Sequence, residues 1–135
     1  MKYVIAIDQS TQGTKAVLFD EVGKLIGRTD RKHKQIVNEH GWVSHDLKEI
    51  YNNTIIAVRE LVDGSDIRRE CVAAAGISNQ RESTAVWSRS GEPLAPSVVW
   101  QCSRAARISE RFTDSSPVIY EKTGLSLPSG WSSAR

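Results

Sequence analysis

The sequence predicts an α/β domain whose mixed sheet begins as an antiparallel meander. Two apolar runs joined by a short polar turn, within Tyr3–Asp20, indicate a hairpin. An amphipathic helical pattern follows over Leu47–Val62, and a run of small apolar residues, Cys71–Ser78, comes after it. A strand that returns after a helix is typical of a parallel crossover, so antiparallel and parallel pairs are expected in one sheet.

The meander is built from three strands with tight turns. The first strand, Tyr3–Ile7, ends on an acid, Asp8, and a polar loop leads into the second strand, Lys15–Phe19. After a second turn at Glu21–Lys24, the segment Leu25–Lys34 alternates in the manner of a third, more polar strand. Gln35–Trp42 is expected to be a loop.

The helix is framed by clear start and stop signals. Asp46 followed by Glu49 is typical of a helix N-terminus, and Asp63-Gly64-Ser65 ends the pattern. The predicted buried stripe consists of Leu47, Ile50, Tyr51, Thr54, Ile55, Val58, Leu61 and Val62.

The second half of the chain carries shorter elements. Cys71–Ser78 is predicted to be a strand buried on both faces and parallel to the first strand. Further strands are expected at Ser83–Trp87 and Val98–Trp100, and a second helix at Ser103–Phe112, followed by a short element at Tyr120–Gly124.

The composition argues against nucleic acid and a membrane as partners. The 135 residues carry 25% charged side chains and a net charge of +2, which gives no electrostatic case for nucleic acid as a partner. No apolar run reaches the length of a membrane span, and the N-terminus lacks the apolar core of a signal peptide. We therefore expect a cytoplasmic protein with no membrane partner.

Cysteine and histidine give no metal pattern. Cys71 and Cys102 lack metal-ligand spacing, and we expect them to be reduced. His33, His40 and His45 form no HxxxH pattern, and we expect them on the surface or in loops.

The loop after Asp8 has the chemistry of a phosphate site. A carboxylate at a strand end suits Mg²⁺, while hydroxyls, backbone N–H groups and the Lys15 cation suit phosphate oxygens. The candidate residues are Asp8, Thr11, Gln12, Gly13, Thr14 and Lys15. The alternative is an ordinary polar hairpin whose aspartate caps a turn. It is not a P-loop, because Gly13-Thr14-Lys15 leads into a strand.

A second candidate site follows the strand Cys71–Ser78. Gln80, Arg81 and Glu82 lie just after its carboxyl end, where ligands of α/β sheets tend to bind. The Arg81 guanidinium offers a fork of N–H donors and the Glu82 carboxylate offers two acceptor oxygens, which together suit vicinal hydroxyls. The alternative is a solvated turn with an incidental ion pair. Trp100 could form an apolar wall for a sugar or polyol, or be a core tryptophan at a strand end.

Four motifs in this order resemble one family. They are Asp8-Gln9-Ser10-Thr11, Gly41-Trp42-Val43 with His45-Asp46, Gly76–Glu82 and Val99–Cys102. Together they resemble the N-terminal part of the FGGY family of carbohydrate kinases, and most of all its glycerol kinases, over Tyr3 to about Leu125.

The resemblance implies a ribonuclease-H-like, actin-like fold and ATP-dependent phosphorylation of a sugar or polyol hydroxyl. It implies ATP and Mg²⁺ as cofactors, with Asp8 associated with the metal and residues 11–15 with phosphate. Lys15 replaces the family's arginine, which keeps the charge and loses the fork. Arg81 and Glu82 match the pair that binds glycerol hydroxyls, and Trp100 matches a tryptophan of that pocket.

This sequence departs from the family pattern in two respects. One concerns the identity of the substrate, and the other concerns whether the kinase domain is complete. After Thr123-Gly124-Leu125 the substrate-contacting tyrosine is replaced by Gly130, beside Trp131, which leaves room for another polyol. The family's catalytic base lies far downstream. We therefore expect residues 1–135 to be an incomplete N-terminal domain that lacks the second domain and folds without catalysing phosphorylation.

Two other function classes stay open. One is a non-catalytic, actin-like binding or assembly module, in which Asp8 and the Arg81–Glu82 pair are relics. The other is a sugar-binding regulator, which would leave the phosphate hairpin idle. A homo-oligomer is an open alternative to a monomer, because surfaces facing missing parts should be apolar.

Overall fold

The computed structural model describes residues 1–125, which form two compact units. The first unit, Met1–Lys34 with Asp46–Gln80, contains a four-stranded mixed sheet and one long helix. Its elements are β1 (Tyr3–Gln9), β2 (Gly13–Asp20), β3 (Leu25–Lys32), α1 (Leu47–Asp63) and β6 (Val72–Asn79). The strand order is β3-β2-β1-β6, and β1 pairs antiparallel with β2 and parallel with β6, as the sequence predicts.

Helix α1 covers one face of this sheet. Alternate residues of β2, among them Ala16 and Leu18, are buried and pack with Ala57 and Leu61 of α1. The helix begins as predicted, since the Asp46 carboxylate accepts hydrogen bonds from the Lys48 and Glu49 N–H groups. Tyr51 is 61% exposed, so its place in the predicted stripe is wrong. It lies at the margin of a stripe whose middle is formed by Leu47, Ala57 and Leu61.

The prediction that Cys71–Ser78 is buried on both faces is wrong. In the described chain this segment is the edge strand β6, paired with β1 alone, and Ile77 is 65% exposed. Helix α1 packs over β2 and β3, so in the described chain the same face of β6 is left uncovered beyond Val72, which packs against the core. Small apolar residues predicted the strand and its parallel partner correctly, but burial depends on neighbours that a local pattern does not specify.

The second unit, Gln35–His45 with residues 81–125, contains short elements. They are β4 (Ile36–Val37), β5 (Val43–His45), β7 (Ser97–Val98), α2 (Ala106–Glu110) and α3 (Ser116–Thr123). The three strands form an antiparallel sheet in the order β4-β5-β7. The predicted loop Gln35–Trp42 therefore contains a strand, and β5 is an element that the sequence analysis did not identify.

Three predicted elements of this unit differ from the structure. Ser83–Trp87 is not a continuous strand, because only Thr84 and Trp87 form isolated bridges. The strand expected at Val98–Trp100 lies at Ser97–Val98, and Trp100 is in the turn that follows. The helix expected at Ser103–Phe112 is a 3₁₀ turn at Ser103–Ala105 continued by the five residues of α2. Short elements are set by tertiary contacts more than by periodicity.

The expectation that the three histidines lie on the surface or in loops is wrong for His45, which is buried in strand β5, while His33 lies in the loop after β3 yet is buried. His33 is 8% exposed and His45 is fully buried, whereas His40 is exposed. Both cysteines are free thiols, as expected. Among the described residues, no helix is both long and apolar enough to cross a membrane.

Gly13 is required by a close approach of two strands. A Cβ at this position would lie 2.4 Å from the Arg31 carbonyl oxygen in β3. We expect Gly13→Ala to lower the free energy of unfolding by about 1–3 kcal/mol, because backbone would have to move. Gly76→Ala is the matched control, since open space surrounds that glycine in β6. Urea unfolding of both variants measures the difference, and equal stability would contradict the assignment.

Candidate functional site

Asp8 lies at the carboxyl end of the central strand. It stands opposite Lys15 of β2 on one side and Ser78 of β6 on the other. The Lys15 Nζ is 3.5 Å from the Asp8 Oδ2, and both side chains are about half exposed, at 41% and 48%. An ion pair this long and this exposed contributes little, so the Asp8 carboxylate is held by its backbone and remains accessible.

A second carboxylate lies on the same side of the sheet. Asp30 of β3 stands opposite Lys15 and receives two hydrogen bonds from Arg28, of 2.7 and 2.8 Å. Hydrogen bonding and the charge of Arg28 lower the pKa of Asp30 below its usual value. Asp30 is therefore neutralised by its own partner, which distinguishes it from Asp8.

The loop between β1 and β2 is a tight, well-bonded turn. The Ser10 N–H and hydroxyl both donate to the Gly13 carbonyl, at 2.9 and 3.0 Å. The Gln12 carbonyl accepts from the His33 N–H at 2.9 Å, which ties the loop to the end of β3. These bonds fix the loop that contains Thr11 and Gln12 beside the end of β1.

A chain of buried polar groups lies beneath this loop. The Asn53 amide donates to His33 Nδ1 at 3.1 Å, and His33 Nε2 is 3.1 Å from the Thr14 hydroxyl. The Thr14 hydroxyl is 3.4 Å from that of Thr54 on α1, which also accepts from the Gln9 side chain at 2.7 Å. With the proton of neutral His33 on Nε2, every donor in this chain faces an acceptor. The chain fastens both strands of the hairpin to helix α1.

This arrangement corrects the role predicted for one residue. The Thr14 side chain is fully buried and its hydroxyl points to His33 and Thr54, so it does not offer that hydroxyl to phosphate. Strand alternation is the reason, because Thr14 faces helix α1 and its neighbour Lys15 faces the opposite side. Phosphate contact by Thr11, Gln12, Gly13, Lys15 and the Thr14 backbone stays a prediction.

The hairpin fits a Mg²⁺-nucleotide better than a resident metal. Within residues 1–125, no group of three or more His, Cys, Asp or Glu side chains could hold a metal ion. Asp8 supplies one accessible carboxylate, and Mg²⁺ is commonly held by one or two carboxylates together with substrate phosphates and water. The donor set therefore suits a metal that arrives with its phosphate ligands.

The predicted acceptor-binding residues divide between the two units. Gln80 belongs to the first unit, where its N–H donates to the Gln9 carbonyl at 2.6 Å, directly after Asp8. Arg81 and Glu82 begin the second segment of the other unit. Glu82 has a left-handed backbone, with φ of 64°, which is uncommon for a non-glycine residue and recurs at functional sites.

Glu82 and Trp100 are placed at one end of the same bridge. Thr84 and Val98 exchange two backbone hydrogen bonds, of 2.8 and 3.0 Å, in an antiparallel bridge. Glu82 precedes Thr84 by two residues and Trp100 follows Val98 by two, so both emerge from the same end of the bridge. The Ser97 hydroxyl reinforces the link by donating to the Thr84 carbonyl at 2.9 Å.

Comparison with known proteins identifies the family. The model of the N-terminal domain of the FGGY family of carbohydrate kinases matches residues 3–135. The chain belongs to the FGGY family. Glycerol kinase 1 of Thermotoga maritima is 46% identical over 126 residues, which make up 91% of this chain and 26% of that relative.

Solved structures agree with this assignment. A glycerol kinase of Plasmodium falciparum, crystallised with ADP, superimposes with a TM-score of 0.81 at 29% identity, over 98% of this chain and 27% of that one. A ligand-bound xylulose kinase of Lactobacillus acidophilus gives a TM-score of 0.82 at 28% identity, over 92% and 25%. The predicted ribonuclease-H-like, actin-like fold is confirmed. The chain spans about a quarter of the length of these relatives.

Two residues important to the site were not identified from sequence. His33 lies in a loop, in line with one of the two expectations for it, but no local signal in the sequence indicates that it is buried and bonded to Thr14 beneath the hairpin. Arg104 follows Trp100 in the segment Trp100–Arg104, and the sequence gives it no role of its own, yet it contacts Trp42, Val43 and Ser44. The departure at Gly130 and Trp131 lies outside the described residues.

The buried polar chain makes a prediction about stability. Thr14→Val removes the hydroxyl between His33 and Thr54 while keeping the side-chain shape. We expect a loss of about 1–3 kcal/mol in the free energy of unfolding, because buried polar groups lose their partner. Thr113→Val, at an exposed position, is the control and should change stability by less than about 0.5 kcal/mol. Thermal and urea unfolding provide the measurement. If Thr14→Val and Thr113→Val lower the free energy of unfolding equally, the polar network does not contribute to stability.

Proposed function

We propose that this chain is the N-terminal part of an ATP-dependent kinase of a sugar or polyol, similar to glycerol kinase. The observation that carries the proposal is the accessible Asp8 carboxylate, held at a strand end beside a tight hydroxyl-rich hairpin. The similarity to a glycerol kinase at 46% identity supports the same reaction class. In this proposal the chain supplies the phosphate hairpin and part of the acceptor site.

The hairpin would position the nucleotide. Bound Mg²⁺-ATP supplies the γ-phosphoryl group and offsets charge on the phosphates. Asp8 would hold the metal directly or through water, and the Lys15 cation would lie near the phosphates as a point charge. The loop is already fixed by its bonds to Gly13 and His33, so little ordering entropy would be lost on binding.

The second unit would recognise the acceptor. The Arg81 guanidinium donates, and the Glu82 carboxylate accepts, so the pair would hold neighbouring hydroxyls in one orientation. Trp100 would provide an apolar wall for the carbon chain. The base that deprotonates the attacking hydroxyl is proposed to be an aspartate beyond Arg135.

Asp8 can be tested against a matched carboxylate. In the full-length protein, Asp8→Asn should lower kcat roughly 100-fold or more, because a preorganised charge that acts in the transition state is lost. Asp30→Asn is the control, since Asp30 lies on the same side of the sheet and is paired with Arg28. Coupled assays at saturating Mg²⁺-ATP with glycerol, xylulose and a panel of polyols provide the measurement.

Three outcomes of this assay are informative. A large effect of Asp8→Asn with a small effect of Asp30→Asn supports the assignment. Unchanged turnover in Asp8→Asn removes Asp8 from the mechanism. If the wild-type protein phosphorylates no member of the panel, the kinase proposal fails and a non-catalytic binding or assembly module is favoured.

Arg81 should affect the acceptor far more than the nucleotide. Arg81 is exposed in the structure, and its contact with the acceptor would be buried only by the bound acceptor itself. Loss of such a contact costs about 1–3 kcal/mol, so Arg81→Ala should raise the acceptor KM roughly 5- to 150-fold. The KM for ATP should change by less than about twofold, given that the free-energy change is confined to acceptor contacts. Arg89→Ala, in the exposed turn after Trp87, is the control. Equal rises in both KM values would assign Arg81 to structure.

A further inference from the structure

Arg104 makes four contacts that join the turn after β7 to strand β5. Its Nη2 donates to the Val43 carbonyl at 3.0 Å and to the Ser44 hydroxyl at 2.7 Å. Its Nε lies 3.0 Å from the Cys102 Sγ. Its guanidinium carbon also lies 5.4 Å from the centre of the Trp42 ring, within the range of a cation–π contact.

The acceptors of these hydrogen bonds are themselves fixed. Cys102 is fully buried and Ser44 is 9% exposed. Burial raises the pKa of the Cys102 thiol, but hydrogen bonds from Arg104 and Val43 and the charge of Arg104 outweigh it, so the pKa lies below its ordinary value. Three acceptors in different directions require a planar fork, which arginine has and lysine lacks.

The segment that Arg104 holds contains Trp100. The Cys102 N–H donates to the Val99 carbonyl at 2.9 Å, which closes a turn with Trp100 and Gln101 at its tip. Val99 and Cys102 are both fully buried, while Trp100 is 36% exposed. The turn is therefore anchored at its two ends, and Arg104 ties the second anchor to β5.

We propose that Arg104 is a positioning residue that fixes the indole of Trp100 for binding of the sugar or polyol acceptor. The inference rests on the proposed function, in which Trp100 contacts the acceptor. It gives a role to Gly41-Trp42-Val43, a motif that neither the hairpin nor the Arg81–Glu82 pair uses. The Trp42 ring and the Val43 carbonyl are the surface against which the guanidinium is held.

Steady-state kinetics of the full-length protein tests this role. Arg104→Ala should raise the acceptor KM roughly tenfold, because a misplaced wall weakens acceptor binding. The KM for ATP should stay within about twofold of the wild-type value. Arg104→Lys should behave like Arg104→Ala, since the charge alone does not reach three acceptors. Arg107→Ala, an exposed arginine on α2, is the matched control and should resemble wild type.

A second measurement separates this inference from the proposed function. Fluorine NMR of the 135-residue chain with 5-fluorotryptophan reports each indole, and Trp100→Phe assigns its signal. In Arg104→Ala and Arg104→Lys the Trp100 signal should shift or broaden, while circular dichroism stays unchanged. Cys102→Ala, which removes one acceptor of Arg104, should shift the same signal if Arg104→Ala fails to fold.

The outcomes are distinct. An unchanged Trp100 signal in the Arg104 variants, or full rescue of the acceptor KM by lysine, overturns the inference. Equal rises in both KM values would also overturn it, because they would indicate general disruption. If the wild-type protein phosphorylates nothing, the proposed function fails, and the Trp100 signal still decides whether Arg104 positions that residue.

Discussion

The pairing of β1 along its whole length is the constraint on which the first unit depends. Every residue from Tyr3 to Gln9 has a partner in β2, and the strand also pairs in parallel with β6. Asp8, the last residue but one of β1, is therefore held from both sides, between Lys15 and Ser78. A carboxylate placed in this way keeps its position without a strong ion pair, which leaves its oxygens accessible to a ligand.

The buried polar groups beneath the hairpin also hold it in position. The loop at the hairpin tip could be mobile if only its own turn held it, yet His33 bonds the loop through its backbone and Thr14 through its ring. This series of hydrogen bonds ends at the Thr54 hydroxyl on helix α1. A fully connected buried polar network is rigid, because each broken link exposes an unsatisfied group. The phosphate hairpin is thereby preorganised by residues that touch no phosphate.

In the second unit, Arg104 has the fixing role that His33 has in the first unit. Its strands are two or three residues long, too short to define a site by pairing alone. The Thr84–Val98 bridge aligns the segments that contain Glu82 and Trp100, and Arg104 adds a fork between β5 and the Trp100 turn. In this unit, side-chain contacts therefore fix the positions that backbone pairing would fix in a longer sheet.

Periodicity, helix caps and ordered motifs are local signals, and they were sufficient to predict the family, the meander, helix α1 and the parallel pairing of β6 with β1. Three features became known from the fold: His33 is buried, the Thr14 hydroxyl faces the helix, and β6 is exposed. Each depends on what packs against a residue from far along the chain. The same holds for Arg104, whose partners at Val43 and Ser44 are 60 residues away or more. Spacing along a chain does not encode such contacts, because folding alone brings them together.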